Sequence, residues 1–197
     1  MRMRNTWLEG LQAVTALAVV LLALGLAALA VTVVSGMLGK PIPLAQPVAV
    51  EVPADMVEAA PPPGTGLDRD VEVTVGDPAP VQYLLYGIPA LTGSGMLLAG
   101  AVLLNRALKA ALREPFSRAV VALLRALGML AVLGVLVQAL VESAAGMLLM
   151  RSVLPAGGLF LTYDVPLGVL LFGVGMLAAA GIIRRGAVMR DDLEGTV

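Results

Sequence analysis

Two ionisable residues, Arg125 and Glu142, interrupt the long apolar runs of this chain, and Gln138 stands one helical turn before the second. A carboxylate within an apolar run is costly unless it is partnered or hydrated, so Gln138 and Glu142 are the candidates for holding a proton or cation. At i and i+4 they share one helix face. Arg125 and Glu142 are 17 positions apart, or roughly 25 Å along a helix, so each is expected near an opposite membrane boundary. Arg125 can then snorkel towards the headgroups. The chain has no histidine and no cysteine. That removes disulfides, the common zinc sites and every nucleophilic triad built on His or Cys. Isolated Asp and Glu residues make no catalytic constellation. The expectation is no catalytic, cofactor-binding or metal site, and no enzyme.

A second set of polar residues has more pattern. Arg106, Lys109 and Arg113 recur at i, i+3 and i+7, one face of a helix. Pro115 ends that helix, because the residue before a proline is driven out of the α region, and Ser117 can cap the next one. The chain closes with Arg190, Asp191, Asp192, Leu193, Glu194, Gly195, Thr196 and Val197. The basic face suits anionic lipid. The acidic tail suits a soluble partner, or that basic face itself. Arg106, Lys109, Arg113, Arg190, Asp191, Asp192 and Glu194 are therefore the candidate partner-binding residues. The net charge of −1 gives no field that would draw nucleic acid directly.

The elements that position these residues follow from apolar runs. With 59% hydrophobic and only 14% charged residues, the chain cannot clothe a soluble domain, which usually carries about a quarter charged residues. Four runs reach the roughly 20 residues needed to cross a bilayer, at approximately 11–36, 81–105, 119–147 and 165–183. Their uniform apolarity argues for helices rather than barrel strands. Ten of the thirteen basic residues fall on one side: Arg2 and Arg4, the 106–118 connection, Arg125, and the 184–197 tail. Lys40, Arg69 and Arg151 fall on the other. The positive-inside rule then puts both termini in the cytoplasm. Trp7, Tyr83 and Tyr86 stand near span ends, where interfacial aromatics belong. The Arg-rich start and Ala28-Leu29-Ala30 also resemble a signal peptide, but the apolar run is about twice the usual length, so an uncleaved first helix is expected.

Residues 40–80 differ in kind. They hold nine prolines, and seven acids against two bases. Val48-Ala49-Val50-Glu51-Val52 and Val71-Glu72-Val73-Thr74-Val75 alternate as strands do. An extracytoplasmic β-hairpin is expected, with Leu159-Phe160-Leu161-Thr162-Tyr163 as a third strand of a small cap, since an isolated hairpin is marginal. The acids follow no calcium-loop spacing and are read as keeping the segment in water. Small residues (Ala23 with Ala27, Gly175 with Ala179, and Ala178-Ala179-Ala180-Gly181) permit close helix contact. That contact serves packing within the monomer or a homo-oligomer. The methionines are scattered and read as packing residues. The expected fold is thus an all-α integral membrane protein, a four-helix transmembrane bundle with a small β cap.

Glu114-Pro115-Phe116-Ser117, the Leu/Arg-rich start of span three, and the tail from Arg185 to Val197 resemble a bacterial four-span membrane family catalogued as domain of unknown function 2975. The Arg and Ala bias also suits a GC-rich bacterial genome. The resemblance implies a plasma-membrane protein partnered with a small cytoplasmic helix-turn-helix regulator, and no known activity. Two readings follow. One is a non-enzymatic regulatory or interaction protein. The other is a small transporter or transporter subunit with a polar path near Gln138 and Glu142.

Overall fold

The structure is a computed structural model of the 197-residue chain, and it describes residues 6–40, 48–53, 70–153 and 166–194. In chain order these residues form α1 (Thr6–Met37), β1 (Ala49–Pro53), β2 (Asp70–Thr74), α2 (Pro80–Arg113), α3 (Arg118–Val153) and α4 (Leu167–Glu194). All four helices are long and apolar enough to cross a membrane. Each also outruns the apolar stretch that identifies it, because a helix already propagated adds polar residues at little cost.

The helix ends follow local chemistry. α1 closes on Gly39, whose φ of 68° is the left-handed conformation that glycine adopts without penalty. The Gly39 N–H donates to the Gly36 carbonyl (3.1 Å) and the Lys40 N–H to the Ser35 carbonyl (3.0 Å). This is the Schellman arrangement that satisfies the last carbonyls of a helix. α2 opens with Pro80 at its first position, where the missing N–H costs nothing. It carries Pro89 inside, tolerated in membrane helices because neighbours re-satisfy the freed carbonyl. Past Arg113 the Glu114 N–H still reaches the Ala110 carbonyl (2.9 Å). Ser117 caps α3 as its sequence suggests, its Oγ accepting from the Val120 N–H at 3.4 Å.

The chain divides into two compact units. One comprises Met1–Leu26, Gly93–Gln138 and Asp164–Val197, the other Ala27–Thr92 and Ala139–Tyr163. Among the described residues, six of the ten buried apolar side chains lie on α3: Val120, Leu127, Val135, Ala145, Leu149 and Met150. Outward faces stay apolar, with Leu17, Leu24, Leu140, Leu171 and Ile182 all exposed. In water that surface would aggregate; in lipid it is solvated.

In the first unit, α3 and α4 touch backbone to backbone. A Cβ added at Gly128 would lie 2.8 Å from the Gly173 carbonyl oxygen, and one at Gly173 would lie 3.1 Å from the Gly128 carbonyl oxygen. Such approach is how helices gain contact where no hydrophobic force separates them from lipid. In the second unit, Gly36 of α1 receives the ring of Tyr83, and Gly87 of α2 receives Val33. The small residues singled out from sequence behave otherwise. Ala23, Ala27, Gly175 and Ala178 are exposed and Gly175 has open space around it, while Ala180 is buried. Tyr83 is half-buried against Gly36 and serves helix contact, whereas Trp7 and Tyr86 are exposed.

Between α1 and α2, β1 and β2 pair antiparallel with Val50 opposite Val73 and Glu51 opposite Glu72. The Val75 N–H donates to the Val48 carbonyl (2.9 Å), and Val48 is 1% exposed. The expected third strand at 159–163 lies outside the described residues.

Candidate functional site

The α2–α3 turn is the end of the first unit that collects charge. α2 continues as helix beyond Asn105, so Arg106, Lys109 and Arg113 fall within an arc of about 60° at roughly 100° per residue. All three are exposed, while Ala107 between them is buried. The sequence reading of a basic helical face is thus matched by position and exposure. Arg118 and Arg125 on α3 and Arg184 and Arg185 on α4 are exposed as well. Among residues of this unit whose side chains are described, only Glu9 and Glu114 oppose these seven cations.

The tail does not fray at Gly186. α4 runs on through Arg190, Asp191, Asp192 and Glu194. One glycine costs a helix only about 1 kcal/mol, too little to end one seeded by a long apolar span. At 3.6 residues per turn, Asp191 and Asp192 fall seven positions beyond Arg184 and Arg185, on the same side of the helix. These four candidate residues therefore occupy an extension of the last span.

The candidate polar path is placed as follows. Gln138 is half-buried on α3, and its amide lies over Gly93 of α2, where an added Cβ would meet Nε2 at 3.3 Å. Glu142 is exposed. Among the described residues no group of His, Cys, Asp or Glu is arranged to hold a metal ion.

Sequence reasoning missed a polar junction in the second unit. Gln82 is 9% exposed at the start of α2. Its Oε1 accepts the Ala79 N–H (2.8 Å), and its Nε2 donates to Ser152 Oγ on α3 (3.0 Å). Ser152 Oγ in turn donates to the Leu149 carbonyl (2.6 Å). The first bond is half of a capping box, in which the third helical residue reaches back to the cap. The signal was present: Ala79-Pro80-Val81-Gln82 sets proline at the first helical position and glutamine at the third. Gln82→Leu is expected to cost about 1–2 kcal/mol, since it strands a cap N–H and cuts an interhelical bond. Ser152→Ala is expected to cost less, and thermal melts in mild detergent rank the two. Equal melting of Gln82→Leu and the parent protein would remove the junction from the account. Asn105, in the C-terminal third of α2, has a buried Oδ1 with no hydrogen-bond partner among the described residues.

No family model, curated protein or solved structure matches the chain.

Proposed function

We propose that this chain is a non-enzymatic, multi-pass protein of the bacterial plasma membrane that holds a soluble cytoplasmic partner at its basic end. The observation that carries the reading is the continuation of α4 as helix through Glu194. A frayed tail offers no fixed surface; a helical extension sets Arg190, Asp191, Asp192 and Glu194 at defined spacing along one element. The exposed Arg106, Lys109 and Arg113 face on α2 supplies a second, cationic surface. On this reading both termini are cytoplasmic, in line with the excess of Arg and Lys at the ends and in the 106–118 connection. The acidic segment holding β1 and β2 then lies outside as a small cap. The resemblance to the family of unknown function 2975 makes a small helix-turn-helix regulator the partner to look for.

The test is affinity capture from mild-detergent membranes, comparing the full chain with one stopped after Arg190. The expected result is a small DNA-binding protein recovered with the full chain and reduced at least tenfold by truncation. Equal recovery by both forms relocates the contact to 106–117 and overturns the role of the tail. Recovery of no soluble partner by either form sinks the proposal. It would turn attention to solute flux in Glu142→Gln.

A further inference from the structure

The first unit contains a groove of about 640 Å³ at the same end as the cation cluster, within the range of about 300–1,000 Å³ typical of small-ligand sites. Its lining residues are all of apolar type and drawn from all four helices, including Leu8 of α1, Leu104, Leu108 and Leu112 of α2, Val120 of α3 and Ile183 of α4. Pro115 and Phe116 of the α2–α3 turn complete it, and Phe116 is 53% exposed. Leu104, Leu108 and Leu112 form one stripe at i, i+4 and i+8. Those eight positions cover roughly 12 Å along the helix axis. One leaflet of the roughly 30 Å hydrocarbon core is about 15 Å deep, so the stripe fits most of one leaflet and stops at the turn.

The charge pattern says what occupies it. The cations follow lining residues in sequence, Lys109 after Leu108, Arg113 after Leu112 and Arg184 after Ile183, so each stands about 100° around its helix from that neighbour, at the flank of the groove. All three are exposed. An occupant must therefore be an apolar rod with an anion at one end. A soluble peptide segment does not fit, because the deep wall begins at Leu104, within the apolar run of α2. We infer that this groove holds one acyl chain of an anionic phospholipid, whose phosphate is taken by Lys109, Arg113 and Arg184. The inference shares Lys109 and Arg113 with the regulator reading but needs no soluble partner, so it survives the failure of that reading.

The experiment is native mass spectrometry of the full-length protein, released from micelles titrated with dioleoyl-phosphatidylglycerol or dioleoyl-phosphatidylcholine. The expected result is one tightly retained phosphatidylglycerol and no equivalent retention of phosphatidylcholine. Lys109→Gln with Arg113→Gln should weaken that first binding event by roughly fivefold for each cation removed. Ala111→Phe, which fills the groove from its wall, should abolish it while leaving later, weaker lipid additions in place. Should Ala111→Phe fail to fold, the cation pair still tests the headgroup contact. Equal retention of the two lipids overturns the inference. So does undiminished phosphatidylglycerol binding in the double variant, competition by glycerol phosphate as effective as by the lipid, or a second copy of the chain in place of the lipid.

Discussion

Gly128→Val is expected to destroy the α3–α4 contact and with it the recovery of a monodisperse protein. The first atom of any side chain at this position would lie 2.8 Å from the Gly173 carbonyl oxygen and 2.8 Å from Leu177 Cγ. One obstacle is backbone, which no rotamer change moves, and Leu177 Cγ could clear the site only by a change of χ1 within a packed contact. Adding methylenes to a filled site costs about 1–3 kcal/mol, and valine adds them against a backbone that must also retreat. A loss of about 3 kcal/mol or more is a large share of a typical total of about 5–15 kcal/mol. Gly175→Ala supplies the control, because nothing stands within 4 Å of a Cβ there. It should hold or raise stability, since alanine is the better helix former by up to about 1 kcal/mol. Size-exclusion profiles and thermal melts in one detergent compare the two. A Gly128→Val protein as stable as its parent would mean that the helices do not meet there.

The second expectation is a compensation in the other unit. A Cβ at Gly87 would collide with Val33 Cγ2 and lie 3.0 Å from Cγ1 and 3.2 Å from Cβ. Val33 is 7% exposed, and a β-branched side chain in a helix has essentially one rotamer. It cannot turn aside. Gly87→Ala alone should therefore lower stability by about 1–3 kcal/mol. Val33→Ala alone should leave a small void at a cost of similar order. Combined, the new methyl occupies space that the valine vacated, and the double variant should be more stable than the two penalties predict, by about 0.5–3 kcal/mol. Simple additivity would show that Gly87 is small for some reason other than Val33.

These two positions also show where a sequence of this kind stops being readable. Apolar run length marks the four helices, because charge cannot be left in hydrocarbon, and Pro115 with Ser117 marks the boundary between α2 and α3. The packing face is another matter. In water the buried side of a helix is apolar and the exposed side polar. Here lipid-facing Leu17 and Leu171 are as apolar as buried Leu127 and Leu149, so no sidedness distinguishes core from surface. Gly128, Gly173 and Gly87 look no different in sequence from Gly175 and Gly181, yet only the former three sit against a neighbour closer than about 3 Å. The basic face of α2 was legible because charge does have a side. The helical extension of α4 was not legible from apolar run length, which ends the span at 183 and leaves the charged residues beyond it as a tail. Gln82 was hidden by its place at a span boundary, where a polar residue draws no notice.

Among the described residues, each close glycine approach joins helices adjacent in the chain: α1 with α2 at Gly36 and Gly87, α2 with α3 at Gly93 and Gly134, α3 with α4 at Gly128 and Gly173. These contacts can therefore form in the order of synthesis. A pair can make these glycine contacts as soon as its second member leaves the insertion machinery. Local pairing of this kind keeps the loop-closure cost low. It also means that a chain cut within the connection between α2 and α3 should yield an N-terminal hairpin that already holds its Val33 and Tyr83 contacts before the rest is made.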